Sequence, residues 1–318
     1  MSAREPVTSS PSQSVSAVDP AVQGMVIMGA AMMVLPLMDA ASKALTTWHG
    51  VSPGQVTFLR FAFQSVLAAF IAWWMLGPAG LRAGRLWLNL LRGALIGIAS
   101  LCFFAAVKYM PLADAMAVFF VEPFILTLLS VIALKERVGW RRYAAMAVGF
   151  FGALVVIQPS WELFGPVSLL PLGTATLFSV YLILNKTLAA HDEPITMQFT
   201  AGIGGTVALG IAMLVGNGLA MEDFAVSMPG AVGWSLLFAI GAISTVGHLA
   251  VVQAFKRAPA SLLAPFQYFE IVMAVLFGLL LFGDFPSASK WLGIALIVAS
   301  GLYLFHREQV VSRRRRQA

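Results

Sequence analysis

From Gly24 to Phe305 the chain alternates long apolar runs with short connectors. Ten runs are long enough to cross a bilayer, a crossing needing about 20 residues. They lie near Gly24–Thr46, Pro53–Leu76, Leu86–Val107, Pro111–Leu134, Trp140–Ile157, Pro166–Leu188, Pro194–Val215, Ala231–Phe255, Ser261–Phe282 and Ser289–Phe305. The connectors hold residues that stop helices: Gly77-Pro78, Met110-Pro111, Gln158-Pro159, Glu193-Pro194, Pro229-Gly230, Ala258-Pro259 and Phe285-Pro286. None has room for an extramembrane domain. The pattern predicts an all-α integral membrane protein with ten transmembrane helices.

Composition agrees. Of 318 residues, 59% are hydrophobic and 11% charged, against roughly 45–50% and about 25% in soluble domains. Mean hydropathy is +0.87. Met1 to Gln23, rich in Ser, Pro and Val, reads as a disordered tail and not a signal peptide, because it lacks an apolar core. Trp48, Trp73, Trp74, Trp87, Trp140, Trp161, Trp234 and Trp291 all fall near run ends, where amphipathic rings favour the headgroup level. The single Cys102 excludes an internal disulfide framework and a multi-cysteine metal site.

The net charge of +6 raises the question of nucleic-acid binding, and its distribution answers it. With ten spans the termini share one side. That side receives fifteen Lys and Arg residues, including Arg313 to Arg316, and the other receives Lys108 and Lys290 alone. Lys43, Arg60 and Arg92 lie within or at the edges of helices and are not counted. The asymmetry predicts that both termini are cytoplasmic. The basic tail at 307–318 would lie against anionic lipid, with no nucleic acid as partner.

Shifting the chain by 148 residues uncovers a repeat. Between Ala106 and Leu154 seven of 49 positions match, little more than apolar composition produces, but the polar matches are informative. Lys108 meets Lys256, Pro111 meets Pro259, Glu122 meets Glu270, Glu136 meets Asp284 and Arg142 meets Lys290. The expected halves are residues 24–157 and 158–306. A unit of five helices is odd, so the second copy enters the membrane from the opposite side, and two inverted five-helix repeats result. Exchanging conformations between such halves creates inward and outward states of similar energy.

Costly residues mark the candidate site. An acid at the bilayer centre costs roughly 2.5–3.5 kcal/mol on insertion scales, and Glu122 and Glu270 occupy matching positions in the fourth and ninth runs. They are candidates for solute binding and for proton coupling; neutral carboxyls hydrogen-bonded between helices are the alternative. Pro36, Pro123 and Pro265 would free the carbonyls of Met32, Phe119 and Ser261 for a solute or a kink. Asp39 and Lys43, four residues apart, share a helix face and either pair with each other or meet substrate charge. Arg60 could snorkel or pair with a carboxylate. His248, which meets Ser100 under the repeat, sits among Ser244, Thr245, Gly247 and Gln253. Phe120 and Tyr268 precede the two glutamates by two residues each, and Gln267, Tyr181 and Asn185 add hydrogen-bonding groups. Aromatic faces beside carboxylates suit a cationic or zwitterionic organic solute. Gly93-x-x-x-Gly97 allows close helix approach, within this chain or in a homodimer.

The chain holds no phosphate-binding Gly-rich loop, no His-Glu-x-x-His and no Gly-x-Ser-x-Gly. Neither an ATP-driven pump nor a known hydrolase pattern is written in it, and no cofactor is expected. The ten spans, the two repeats, the run from Pro111 to Glu136-Arg137, its counterpart from Pro259 to Asp284-Phe285-Pro286, and Ala264-Pro265-Phe266-Gln267-Tyr268 resemble the EamA-type branch of the drug/metabolite transporter superfamily. The chain departs from it at Glu122-Pro123 and at Asp284, where Glu is commoner. The resemblance implies a multi-pass inner-membrane carrier of small organic metabolites. Its cavity would be lined by helices 1, 3, 4, 6, 8 and 9, and amino acids, S-adenosylmethionine, riboflavin and other vitamins or drugs would be typical cargo. Substrate exchange without proton coupling is the second expectation, an integral-membrane enzyme acting on lipid a distant third. Oligomeric state is left open between monomer and homodimer.

Overall fold

The computed structural model describes residues 20–134, 140–188, 191–257, 266 and 269–317. It consists of helices α1 (Pro20–Trp48), α2 (Pro53–Leu76), α3 (Leu86–Tyr109), α4 (Leu112–Phe119), α5 (Glu122–Leu134), α6 (Trp140–Phe164), α7 (Leu170–Leu188), α8 (Pro194–Gly218), α9 (Ala231–Arg257), α10 (Phe269–Phe277) and α11 (Ala288–Gln317). Short 3₁₀ turns at Gly77–Leu81, Gly165–Leu169 and Glu222–Phe224 join some of them, and α10 widens into a π-turn at Gly278–Phe282. No strand occurs among the described residues.

Among these residues six helical stretches are long and apolar enough to cross a membrane: Val22–Trp48, Pro53–Leu81, Leu86–Tyr109, Trp161–Asn185, Pro194–Gly218 and Ala231–Ala254. Phe269–Phe282 and Ala288–Ser300 are shorter apolar helices. The surface is correspondingly apolar. Val66, Phe70, Ile211 and Leu214 are exposed, as are all eight tryptophans, an arrangement suited to lipid and costly in water.

Three boundaries differ from the expectation. The fourth run is not one helix but two, α4 and α5, because Pro123 has no N–H to continue the ladder; Phe124 N–H donates to Val121 O (3.0 Å) in a tighter turn instead. Glu122 thereby lands in the first turn of α5, as Glu270 does in α10, where the helix dipole favours negative charge. α6 runs on through Gln158-Pro159 to Phe164. The basic segment expected as a tail continues α11 to Gln317, consistent with Arg, Glu and Gln being good helix formers and with no Gly or Pro after Gly301.

Helix starts follow local chemistry. The Ser52 hydroxyl accepts from Gln55 N–H (3.2 Å) and Pro53 opens α2, where a missing N–H costs nothing. Gly283, at φ 70°, closes α10 in the left-handed region; its N–H donates to Leu279 O and Asp284 N–H to Gly278 O. That cap turns Asp284 back toward α1.

Contacts define relative direction. α3 and α8 run parallel in backbone contact: a Cβ at Gly93 would sit 2.2 Å from Ala201 O, and one at Gly97 would sit 3.1 Å from Gly205 Cα. The Gly93-x-x-x-Gly97 stripe therefore serves intramolecular packing. α2 and α8 run antiparallel. Gln55, at the start of α2, bonds the backbone of Ser227 beyond the end of α8 (2.7 and 2.8 Å), while Thr196, at the start of α8, donates to Gly80 O just past α2 (2.8 Å). α6 and α11 are antiparallel as well, Gly149 lying against Ser300 and Gly152 against Gly293.

Candidate functional site

Gly241 and Gly247 bring α9 against Phe63 of α2 and Leu35 of α1. Ser244 and His248 share the α9 face that reaches the interior. Arg60 on α2, only 3% exposed, meets them there. Its Nε donates to Ser244 Oγ (3.1 Å) and its Nη1 to Ser100 Oγ of α3 (2.7 Å). Ser244 Oγ in turn donates to Gln64 Oε1 (2.9 Å), one turn along α2. His248 Nδ1 donates to Ser244 O (2.7 Å), leaving Nε2 as the acceptor of a neutral ring. Arg60 also lies over the rings of Phe61 and Phe104, at 4.9 and 5.6 Å. Ser100 and His248, related by the repeat, thus sit in one hydrogen-bond network around Arg60.

Beside Arg60 is a small cavity, with about 10 Å³ of water-sized space. α2 contributes Arg60, Phe61 and Gln64, and α3 contributes Ile96. Tyr181 of α7, Gln198 and Ala201 of α8, and His248 of α9 complete it. The expected lining from helices 1, 3, 4, 6, 8 and 9 is met by α3, α7 and α9, while α2 and α8 enter unexpectedly. They do so because the glycine contacts of α8 draw it into the centre of the bundle.

A second buried guanidinium lies behind the cavity wall, against Tyr181. Arg92 donates from Nη1 to Asn185 Oδ1 (2.7 Å) and from Nη2 to Met197 O, and stacks at 5.4 Å on Tyr181. Its Nε is enclosed without a partner. Of Tyr181 and Asn185, both expected at the site, the first lines the cavity, and the second lies behind it as the partner of Arg92.

The acids approach from the other helices. Asp39 of α1 is buried, with no hydrogen bond or ion pair to its carboxylate among the described residues; its charge interacts with Arg60 and Glu270. Glu270 interacts with both Asp39 and Glu122. Glu122 Oε1 is enclosed and unpartnered, while its backbone carbonyl accepts from Ser179 Oγ (3.2 Å). Asp39, Arg60, Glu122 and Glu270 are thus linked electrostatically in a chain, Arg60 to Asp39, Asp39 to Glu270 and Glu270 to Glu122.

Lys43 stands apart. It does not pair with Asp39; its Nζ binds Asp284 (2.5 Å), donates to Met110 O (3.3 Å) and lies 4.7 Å from the Phe282 ring. Phe120 packs in the main hydrophobic cluster, edge-on to Phe119 at 6.0 Å. Gln267 and Tyr268 lie outside the described residues. Arg92, Gln64 and Gln198 were not singled out in the sequence, whereas Ser100 and Ser244 enter there only through His248, as its repeat counterpart and its neighbour. A signal existed for Arg92, because a cation in a membrane run carries the same cost that marked the glutamates.

These features define a multi-pass helical membrane protein with a buried polar cavity. The model of the EamA-like transporter family matches residues 23–158 and again 166–305, and the chain belongs to that family. It is 30% identical to a riboflavin transporter of Vibrio cholerae serotype O1 over 93% of this chain and 97% of the relative. It is 28% identical to a riboflavin transporter of Brucella anthropi (86% and 96%) and 27% identical to an S-adenosylmethionine uptake transporter of Rickettsia conorii (88% and 91%). One solved crystal structure superposes with a TM-score of 0.61 at 20% identity, over 90% of this chain and 98% of the other. That likeness concerns the fold. The chain is a transporter of small organic metabolites.

Proposed function

We propose that the chain is a secondary transporter working by alternating access across the inner membrane. It crosses ten times as two inverted five-helix halves, 24–157 and 158–306, with both termini cytoplasmic. The carrying observation is that repeat-equivalent helices run antiparallel: α2 against α8, and α6 against α11. Halves threaded the same way up would make these pairs parallel. The cavity lies between the halves, Arg60 coming from the first and Gln198 and His248 from the second. With only about 10 Å³ of water-sized space it is far smaller than the roughly 300–1,000 Å³ of metabolite pockets, so a solute enters only as the halves move.

Riboflavin and S-adenosylmethionine, the cargo in the relatives' names, are the first candidate substrates. Glu270 is the proposed proton-coupling residue, with Glu122 and Asp39 as the acids facing it and Arg60 beyond. The test is uptake of both compounds into proteoliposomes at imposed proton gradients, with Glu270→Gln beside the parent. Proton coupling predicts uptake that follows the gradient in the parent and ignores it in the variant. Uptake that needs only internal substrate makes the chain an exchanger, and the same response to the gradient in the variant removes Glu270 from coupling.

A further inference from the structure

Arg60 is buried but under-used. A guanidinium carries five N–H donors, and Arg60 spends one on Ser244 and one on Ser100. The other three meet no acceptor among the described residues. Arg92 contains a nitrogen that is both enclosed and unpartnered; Arg60 contains none. The Nη2 of Arg60, which has no partner among the described residues, is therefore not sealed in protein, and the cavity that Arg60 lines is where it opens. The nearby carboxylate of Asp39 interacts with it electrostatically, but no carboxylate among the described residues lies within ion-pair distance.

From these observations we infer that Arg60 is the specificity-determining residue that binds a carboxylate of the substrate, and that the substrate is a zwitterion whose cationic group turns toward Asp39, Glu122 and Glu270. The inference rests on the transporter reading and refines its substrate class. The planar fork of a guanidinium matches a carboxylate in two parallel hydrogen bonds. Gln64, which keeps its amide N–H groups free among the described residues while its Oε1 accepts from Ser244, lines the same cavity and is placed to continue the contact. A phosphate is a poor alternative, since its greater negative charge would sit among three acids, whereas a single carboxylate joined to an ammonium or sulfonium is complementary to both ends. A neutral solute would leave the donors of Arg60 and the acids without charge complements, and a site built to hydrogen-bond a group discriminates strongly against analogues lacking it.

The test uses the full-length protein in proteoliposomes, with labelled S-adenosylmethionine as probe and two competitors. S-adenosylhomocysteine keeps the amino-acid end, whereas methylthioadenosine keeps the ring and loses that end. The expected result is competition by S-adenosylhomocysteine alone. Arg60→Gln should then raise KM for S-adenosylmethionine by about 10–100-fold and abolish the difference between the competitors, with Arg60→Lys recovering part of it. Equal competition in the parent, or an unchanged KM in Arg60→Gln, overturns the inference. So does riboflavin uptake without S-adenosylmethionine uptake, although it leaves the transporter reading intact. If neither compound is carried, thermal stabilisation by free amino acids is compared with that by their methyl esters. Stabilisation by the acids alone, lost in Arg60→Gln, supports the inference; equal stabilisation, or none by any acid, rejects it.

Discussion

Asp39 and Lys43 lie one turn apart on α1, yet they belong to opposite kinds of charged environment. Lys43 joins a network at the helix ends in which every ion has a partner: Lys43 with Asp284, Lys290 with Asp114, all four charges within mutual influence. Asp39 is buried without a hydrogen bond to its carboxylate among the described residues and interacts with Arg60, which lines the cavity and keeps donors unspent. The first region is satisfied within the chain and holds α1, α4, α10 and α11 together. The second is left incompletely paired among the described residues. Incomplete pairing in a buried site is costly, so its persistence in the cavity, beside a network that shows how pairing is achieved, points to the cavity as the place of binding.

Breaking the paired region should cost stability, and emptying the cavity of charge should not. The largest effect is expected for Lys290→Ala, which leaves Asp114, 1% exposed, without its cation; loss of a buried pair's partner costs about 3–5 kcal/mol. Thermal unfolding in detergent would show it as the largest drop in midpoint among these variants. Asp39→Asn removes an unpaired buried charge, so stability is expected to hold or rise by up to about 1 kcal/mol while transport falls. A large loss of stability there would erase the distinction between the regions. The smallest effect belongs to Lys108→Ala, whose partner Asp223 is about as accessible as itself, with side-chain exposures of 32% and 22%. Such a pair contributes about 0.2–1 kcal/mol and weakens with salt, which a salt titration of the midpoint would check.

Much of this organisation was legible in the sequence. Apolar run length locates the helices, since a membrane tolerates little else. The shift that aligns Glu122 with Glu270 also places Ser100 and His248 in the same register around Arg60. What the sequence did not reveal depends on three-dimensional closure. Pro123 announces a freed carbonyl but not that the helix would break into α4 and α5. Asp39 and Lys43 share a face by spacing, yet Gly283 turns Asp284 toward Lys43 and takes it out of that pairing. The role of α8 in the cavity wall follows from Gly204 and Gly205 lying against Leu90 and Phe61, contacts between helices far apart in sequence.

If inverted halves expose one cavity to each side in turn, a residue in its wall is reachable from both sides of the membrane. A single cysteine at Gln64, in a background with Cys102→Ser, reports this through membrane-impermeant maleimide applied to right-side-out and inverted vesicles. Alternating exposure predicts labelling from either side, slowed by transported substrate in both preparations. Labelling confined to one side, unaffected by substrate, would contradict it.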